Sequence, residues 1–338
     1  MNTQLKQRRI LYLDYIKAFA IILVIIGHVL QYMIWPSDFD EHYIWNFIYS
    51  FHMPLFMFIS GVTMAMKSPN YSFGHLMKKR AVQLLLPYFV WAIIISLFRE
   101  KDISFIWTII DRPSNGLWFL WDLYFIILLS RILLLVSKRV SVLLGGSFSF
   151  FIIAQLLRIA IGEHFDYSSI SYYLVIYNIG FVIGAKKYCE NLIMNKYRYC
   201  LILLAVIIIY IGTWIFYELG RDAFPMNFST VIYKFIHICN RLEVGIMASI
   251  MFFMLFYFMR NWTIRFFLII GQETLGIYAI HFWLIPVALM GVPLISVSML
   301  CDTILWSSFI LIGSHVTINI IHKNKYFSFM LLGDKIKK

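Results

Sequence analysis

The chain has 338 residues, 61% of them apolar and only 14% charged, with a mean hydropathy of +0.79 and a formal net charge of +12. This composition excludes an ordinary soluble domain and points to an all-α, polytopic membrane protein. No polar stretch is long enough to fold a separate soluble domain, so residues 1–338 read as one transmembrane domain.

Apolar segments predict about ten transmembrane helices, at 11–34, 43–66, 82–98, 117–136, 140–161, 169–185, 199–219, 230–259, 264–290 and 297–321. A crossing takes about 20 helical residues, and the third segment is short. The stretch from Ile103 to Ile110 is shorter still and reads as a re-entrant or interfacial piece. The first segment is too long for a signal peptide, and no small-residue cleavage site follows it. Lysine and arginine set the orientation. With the N-terminus in the cytoplasm, 20 of these residues fall on inner segments and 4 in outer loops. That ratio predicts an even number of spans with both termini cytoplasmic. The net positive charge is then a topology signal and not a nucleic-acid patch, although the basic inner rim can still hold a polyanionic cofactor. Cys189, Cys200, Cys239 and Cys301 are scattered without metal-ligand spacing, so neither disulfides nor a metal site are expected.

The first span carries Asp14, Lys17 and His28. Ionisable groups inside a bilayer are costly and are usually tied to a function or a partner. Lys17 and His28 are eleven residues apart, which places them on one helix face about 16 Å apart along the axis. Asp14 can pair with Lys17 at the helix start. The plain alternative is that Lys17 snorkels to the headgroups and His28 is a hydrogen-bonded packing residue. The second span reads YSFHMPLFMFISG over 49–61. Pro54 opens a kink, His52 lies just outside it, and Ser60 with Gly61 permits close helix contact. His52 reads equally as an interfacial residue. Lys78, Lys79 and Arg80 then form a basic cluster ahead of Pro87 and Tyr88. Such a cluster is a topology anchor, and it is also what a phosphate-bearing ligand needs.

The fourth span opens with NGLWFLW over 115–121. Trp118 and Trp121 fit an aromatic belt, and Asp122 follows one turn in. The eighth carries Lys234, His237, Asn240, Arg241 and Glu243. His237 and Arg241 share a face, and Glu243 is a candidate partner for Arg241, so a structural ion-pair network competes with catalysis here. The ninth contains Glu273, Tyr278 and His281, the last roughly mid-membrane, with Pro286 kinking its outer part. The tail after Ile321 is short, basic and expected in the cytoplasm. No internal repeat is visible.

Together these pieces resemble the acyltransferase 3 family of bacterial membrane acyltransferases, over nearly the whole chain. The resemblance rests on Lys17 and His28 with ten residues between them, on FHMPLFMFISG, on Lys79, Arg80, Pro87 and Tyr88, on LWFL over 117–120, and on TLGIYAIH over 274–281. The second motif is most similar to the branch of fucose acetylases and surface-polysaccharide O-acetyltransferases. The family often has arginine where this chain has Lys17. It also often has a second arginine where this chain has Gln83.

The resemblance implies an integral-membrane O-acyltransferase of the bacterial plasma membrane. It implies acetyl-coenzyme A as acyl donor on the cytoplasmic side and a hydroxyl of a cell-surface or lipid-linked glycan as acceptor. Lys17, Arg80 and Lys79 would meet the donor phosphates. His28 would act as general base or as a transient acyl carrier, with His281 orienting it or relaying a proton. His52, Ser60, Trp118, Tyr278, Glu273 and Arg241 are candidates for the substrate pocket. The rival class is a glycan or acyl transporter without transferase chemistry. Against it, the sequence shows no inverted repeat and no matched pair of Gly/Pro-broken helices.

Overall fold

The computed structural model describes residues 10–67, 72–186, 196–223, 230–291 and 298–334. Lys6, Arg8, Arg9, Lys187, Cys189, Lys335, Lys337 and Lys338 lie outside them, as do the side chains of Lys196, Arg221 and Lys234. In hydrocarbon each segment must close its own backbone hydrogen bonds, and helices do so. The described elements are all helical. They are α1 (Leu11–Val29, extended by a π-helical turn over Leu30–Ile34), α2 (Tyr43–Lys67), α3 (Phe73–Arg99), α4 (Phe105–Asp111), α5 (Trp118–Val136), α6 (Val140–Ile161) and α7 (Tyr167–Lys186). There follow α8 (Lys196–Ala223), α9 (Thr230–Phe258), α10 (Arg265–Gln272), α11 (Thr274–Leu289), α12 (Met299–His322) and α13 (Lys325–Leu332). Among the described residues nine helices are long and apolar enough to cross a membrane, and the bent pair α10–α11 makes up to ten.

Three elements differ from the sequence reading. The third helix begins at Phe73 and not near residue 82, so Lys78, Lys79 and Arg80 are part of it and not ahead of it. Its apolar content starts late, but the polar turn before it is helical all the same. Two π-helical turns, Ala81–Leu85 and Ile95–Arg99, interrupt it. The segment 264–290 is not one rod, because α10 and α11 meet at 79°. Glu273 is the residue between them, and Thr274 Oγ1 donates to the carbonyl of Gly271 at 2.9 Å, satisfying an acceptor at the break. The tail does not simply leave the bundle. Helix α13 returns against α3, where Trp91 Nε1 donates to the carbonyl of Leu331 at 3.0 Å. Gly333 closes α13 at φ +69°, and a Cβ there would lie 2.6 Å from the Gln83 carbonyl oxygen. Both facts require glycine.

Helix α4 covers most of the short Ile103–Ile110 stretch, and its Ile109 carbonyl accepts from Tyr88 Oη at 2.8 Å.

The centre of the bundle is α1, α2, α7 and the bent pair. Helices α1 and α2 run antiparallel, with Tyr12 near Met66 at one end and Tyr49 donating to Gln31 at the other, 2.8 Å. Helices α2 and α7 cross with their backbones almost touching. A Cβ on Gly61 would lie 2.0 Å from the Tyr177 carbonyl oxygen, and one on Gly180 2.2 Å from that of Phe58. This is the small-residue packing by which membrane helices gain dispersion contact. Gly271 lies likewise against Asp14, so α10 runs beside the start of α1 and α11 beside its end. The core segment of α2 is 78% buried and that of α8 only 11%. Helix α8 therefore turns most of its surface to lipid, while α2 is enclosed by protein.

Candidate active site

Two histidines from opposite ends of the chain meet in this centre. His28 Nδ1 lies 2.9 Å from His281 Nε2, with the rings parallel at 5.1 Å between centroids. His28 is placed by the last turns of α1, and His281 stands two turns beyond the start of α11. The break at Glu273 lets α11 leave the line of α10 and present His281 to α1. His281 Nδ1 also lies 3.0 Å from the Ile277 carbonyl oxygen. A carbonyl only accepts, so that nitrogen carries hydrogen and Nε2 is the acceptor. His28 Nδ1–H then donates to His281 Nε2, which leaves the lone pair on His28 Nε2. His281 is 2% exposed. His28 is only partly buried, so part of it stays accessible. The chain thus holds one imidazole in a fixed tautomer with its basic nitrogen unblocked.

Aromatic side chains frame this pair. Tyr32, Tyr49 and Phe282 surround His28 with ring centroids 5.8, 6.4 and 5.8 Å away. Gly27 lets Tyr49 approach, since a Cβ there would lie 2.7 Å from its ring. His52 Nδ1 donates to the Ile48 carbonyl at 2.8 Å, and its ring packs edge-on against Tyr49. His52 interacts electrostatically with both His28 and Arg241. Tyr278 lies one helix turn before His281 at 5.9 Å, and its Oη accepts from the backbone N–H of Phe119 at 3.3 Å.

Trp118 stacks on Tyr173 at 5.7 Å and lines a cavity of about 330 Å³, together with Arg241. Other walls come from α6, α7 and the loop between them, through Gln155, Arg158, Glu163 and Asp166. Sequence reading missed these four. Their signal was weak: a lone glutamine in a span, and acids in a loop expected to be acidic. The loop carries one stronger mark in the fold. Phe165 and Asp166 both sit at φ +54°, a conformation that non-glycine residues rarely adopt. It is held by Phe165 N–H donating to the Asp111 carbonyl at 2.6 Å and by Trp121 Nε1 donating to the Phe165 carbonyl at 3.2 Å. Burial, with Glu163 beside it and only partly opposed by Arg158, raises the Asp166 carboxyl to about 7.

The remaining candidates lie elsewhere. Lys17 Nζ is 3.9 Å from Asp14 near the start of α1. Arg80 Nη1 donates to Gln83 at 2.9 Å, so the position that departs from the family pattern is the partner of the one that keeps it. Arg80 of α3 and Arg131 of α5 converge electrostatically on Tyr177 of α7. Arg131 went unnoticed in the sequence, although an arginine in mid-span is a signal in itself. Lys79 is half-buried on α3. Ser60 Oγ is turned back to the Phe56 carbonyl at 2.8 Å. Glu273 is separated from the histidine pair and bonds His315 Nδ1 at 2.6 Å at the helix break. Glu243 does not meet Arg241, since it lines a groove between α8 and α9.

A multi-pass helical membrane protein with a paired-histidine centre narrows the possibilities to a small set of intramembrane enzymes and carriers. Residues 10–321 match the family model of the acyltransferase domain, acyltransferase 3, and the chain belongs to that family. It is similar to nodulation protein NolL of Mesorhizobium japonicum, 28% identical over 224 residues that cover 63% of this chain and 57% of that protein. It is also similar to nodulation protein NolL of Sinorhizobium fredii, 34% identical over 129 residues covering 35% of each. The chain thus aligns with less than two thirds of either relative. No solved structure matches it.

Proposed function

We propose that the protein is an O-acyltransferase of the bacterial plasma membrane, a single transmembrane domain that moves an acetyl group from acetyl-coenzyme A to a hydroxyl of a cell-surface or lipid-linked glycan. The observation that carries this reading is the His28–His281 pair, which leaves His28 Nε2 as an unblocked base. The acceptor hydroxyl gives its proton to that nitrogen while its oxygen attacks the thioester carbonyl. The C–S bond then breaks, and the leaving sulfur takes the proton to give free coenzyme A. The same lone pair suits a transient acyl-imidazole. His281 touches neither reactant in this scheme and serves as a positioning residue. Lys17, Lys79 and Arg80 take the donor phosphates near the end of the bundle where α1 begins, and Arg131 supplies the second arginine there. The pantetheine arm spans the offset of about 16 Å from Lys17 to His28.

The test measures thiol release from acetyl-coenzyme A by purified full-length protein with envelope glycans as acceptor. Release is expected from the wild type and should vanish in His28→Ala. His281→Gln should lower kcat by roughly 10- to 100-fold with the donor KM nearly unchanged, as for loss of one orienting hydrogen bond of about 1.5–3 kcal/mol. Half or more of wild-type activity in His28→Ala would sink the assignment. No thiol release with any glycan would favour a transporter.

A further inference from the structure

The cavity beside Trp118 contains a charge that the protein leaves unbalanced. Arg158 Nε lies 3.3 Å from Glu163 Oε2, so those two offset each other. Glu163 is engaged further by the backbone N–H and the hydroxyl of Ser168. Asp166 is held largely uncharged by its surroundings up to about pH 7. Arg241 is different. It lines the cavity and is exposed there. Its neighbours are the rings and hydroxyls of Tyr172 and Tyr173, and its guanidinium stands 5.8 Å over the Tyr172 ring. Among the described residues no carboxylate forms an ion pair with it. An accessible guanidinium with no carboxylate partner is free to take an oxyanion in paired N–H hydrogen bonds.

The other walls are those of a sugar site. Trp118, backed by Tyr173, offers a flat apolar face to the C–H side of a pyranose ring. Gln155 is 2% exposed, and its Nε2 donates to the Ser168 carbonyl and to Ser171. Gln155 lines the cavity, and its Oε1 is buried without a hydrogen-bond partner. About 330 Å³ lies at the small end of ligand sites, which commonly hold about 300–1,000 Å³, and suits one ring and not a long oligosaccharide.

We propose that this cavity binds one acidic sugar unit of the acceptor, stacked on Trp118, with its carboxylate or phosphate on Arg241. The chemistry common to both sources is an oxyanion that accepts the paired N–H groups of a guanidinium. His52 interacts electrostatically with both Arg241 and His28, which links this cavity to the histidine pair. Naming the occupant as acceptor rests on the acyltransferase reading, while the binding does not.

Binding of radiolabelled glucuronate, glucose 1-phosphate and glucose is measured on full-length protein in lipid nanodiscs. At least one of the two anionic sugars should be retained at least about tenfold more tightly than glucose. Glucuronate alone would identify a uronate, and glucose 1-phosphate alone a sugar phosphate. Arg241→Gln should erase the preference, and Arg241→Lys, which keeps the charge, should restore part of it. Equal retention of the three sugars, no retention of any, or an undiminished preference in a folded Arg241→Gln protein would overturn the proposal. The same binding is measured on His28→Ala, where it should equal the wild type. An active His28→Ala would defeat the transferase reading and leave this one standing, and a loss of anion preference would do the reverse.

Discussion

At the scale of single residues, hydrocarbon makes some side chains conspicuous and hides others. His28 and His281 each stand out in sequence because an imidazole in a membrane span needs a reason. Their pairing does not, since 253 residues separate them and nothing local in either span specifies the other. Asp166 was invisible for the opposite reason: an acid in a loop is ordinary. In the fold it is 7% exposed and raised to about 7, first by burial and then by Glu163. The sign of the consequence is fixed. The folded carboxyl keeps its proton up to about pH 7, while in the unfolded chain it titrates at its ordinary 3.8. Between those values the folded state binds the extra proton, so stability falls as pH rises and levels off above about 7. Asp166→Asn removes the titration and tolerates the positive φ. The gap in melting temperature between Asp166→Asn and wild type should therefore widen in favour of the variant from pH 5 to pH 8. About 1–2 kcal/mol is a fair size after allowing for solvent near the cavity. A constant gap would mean that the carboxyl is not held neutral by the fold.

At the scale of elements, hydropathy found the spans but not how they end, break or touch. It placed the start of the third helix late, because Lys78, Lys79 and Arg80 depress the average while leaving helix geometry untouched. It passed over the 79° break at Glu273, because the short polar stretch there is averaged with the apolar segments that flank it. The close crossing of α2 and α7 was half legible. Gly61 could be read as a contact residue, but its partner surface, Tyr177 to Phe181 on α7, could not. That crossing supports the site, since α2 carries Tyr49 and His52 and α7 carries Tyr172 and Tyr173. Gly61→Ala puts a methyl carbon where the Tyr177 carbonyl oxygen already sits 2.0 Å away, and backbone cannot move aside cheaply. The two helices should separate, with a loss of roughly 1–3 kcal/mol or more. Gly145→Ala is the control, because nothing lies within 4 Å of its added carbon. Melting of detergent-solubilised protein on a sizing column should show Gly61→Ala markedly lower and Gly145→Ala close to wild type. Equal melting of the two would mean that the helices do not cross as closely as described.

At the scale of the whole molecule, the candidate groups fall into two sets along the bundle axis. Lys17 and Arg80 lie toward the end where α1 begins, and the cavity with Trp118 and Arg241 opens toward the end where α5 and α7 begin. The histidine pair stands between them, about 16 Å along α1 from Lys17. The charge bias read from the sequence, 20 basic residues against 4, predicts that the first end is cytoplasmic. The proposed function then predicts a donor that enters from one side and an acceptor that enters from the other. In sealed vesicles of known orientation, acetyl-coenzyme A should support transfer only when supplied on the face bearing the N-terminus of α1. Lys17 tests the same axis at one residue. It is paired with Asp14 at 3.9 Å, an arrangement that fits a simple anchor as well as a donor contact. An anchor is replaceable, since Lys78, Lys79 and Arg80 stay at the same end, so Lys17→Met would then leave donor affinity unchanged. A donor contact is not replaceable. Lys17→Met should then weaken donor binding by about 1.5–3 kcal/mol, while Lys17→Arg keeps it within about threefold. Donor affinity is measured for the three proteins, with membrane insertion checked separately. Equal affinity of Lys17→Met and wild type, or equal transfer with donor on either face, would remove the basis for a donor path running from Lys17 to His28.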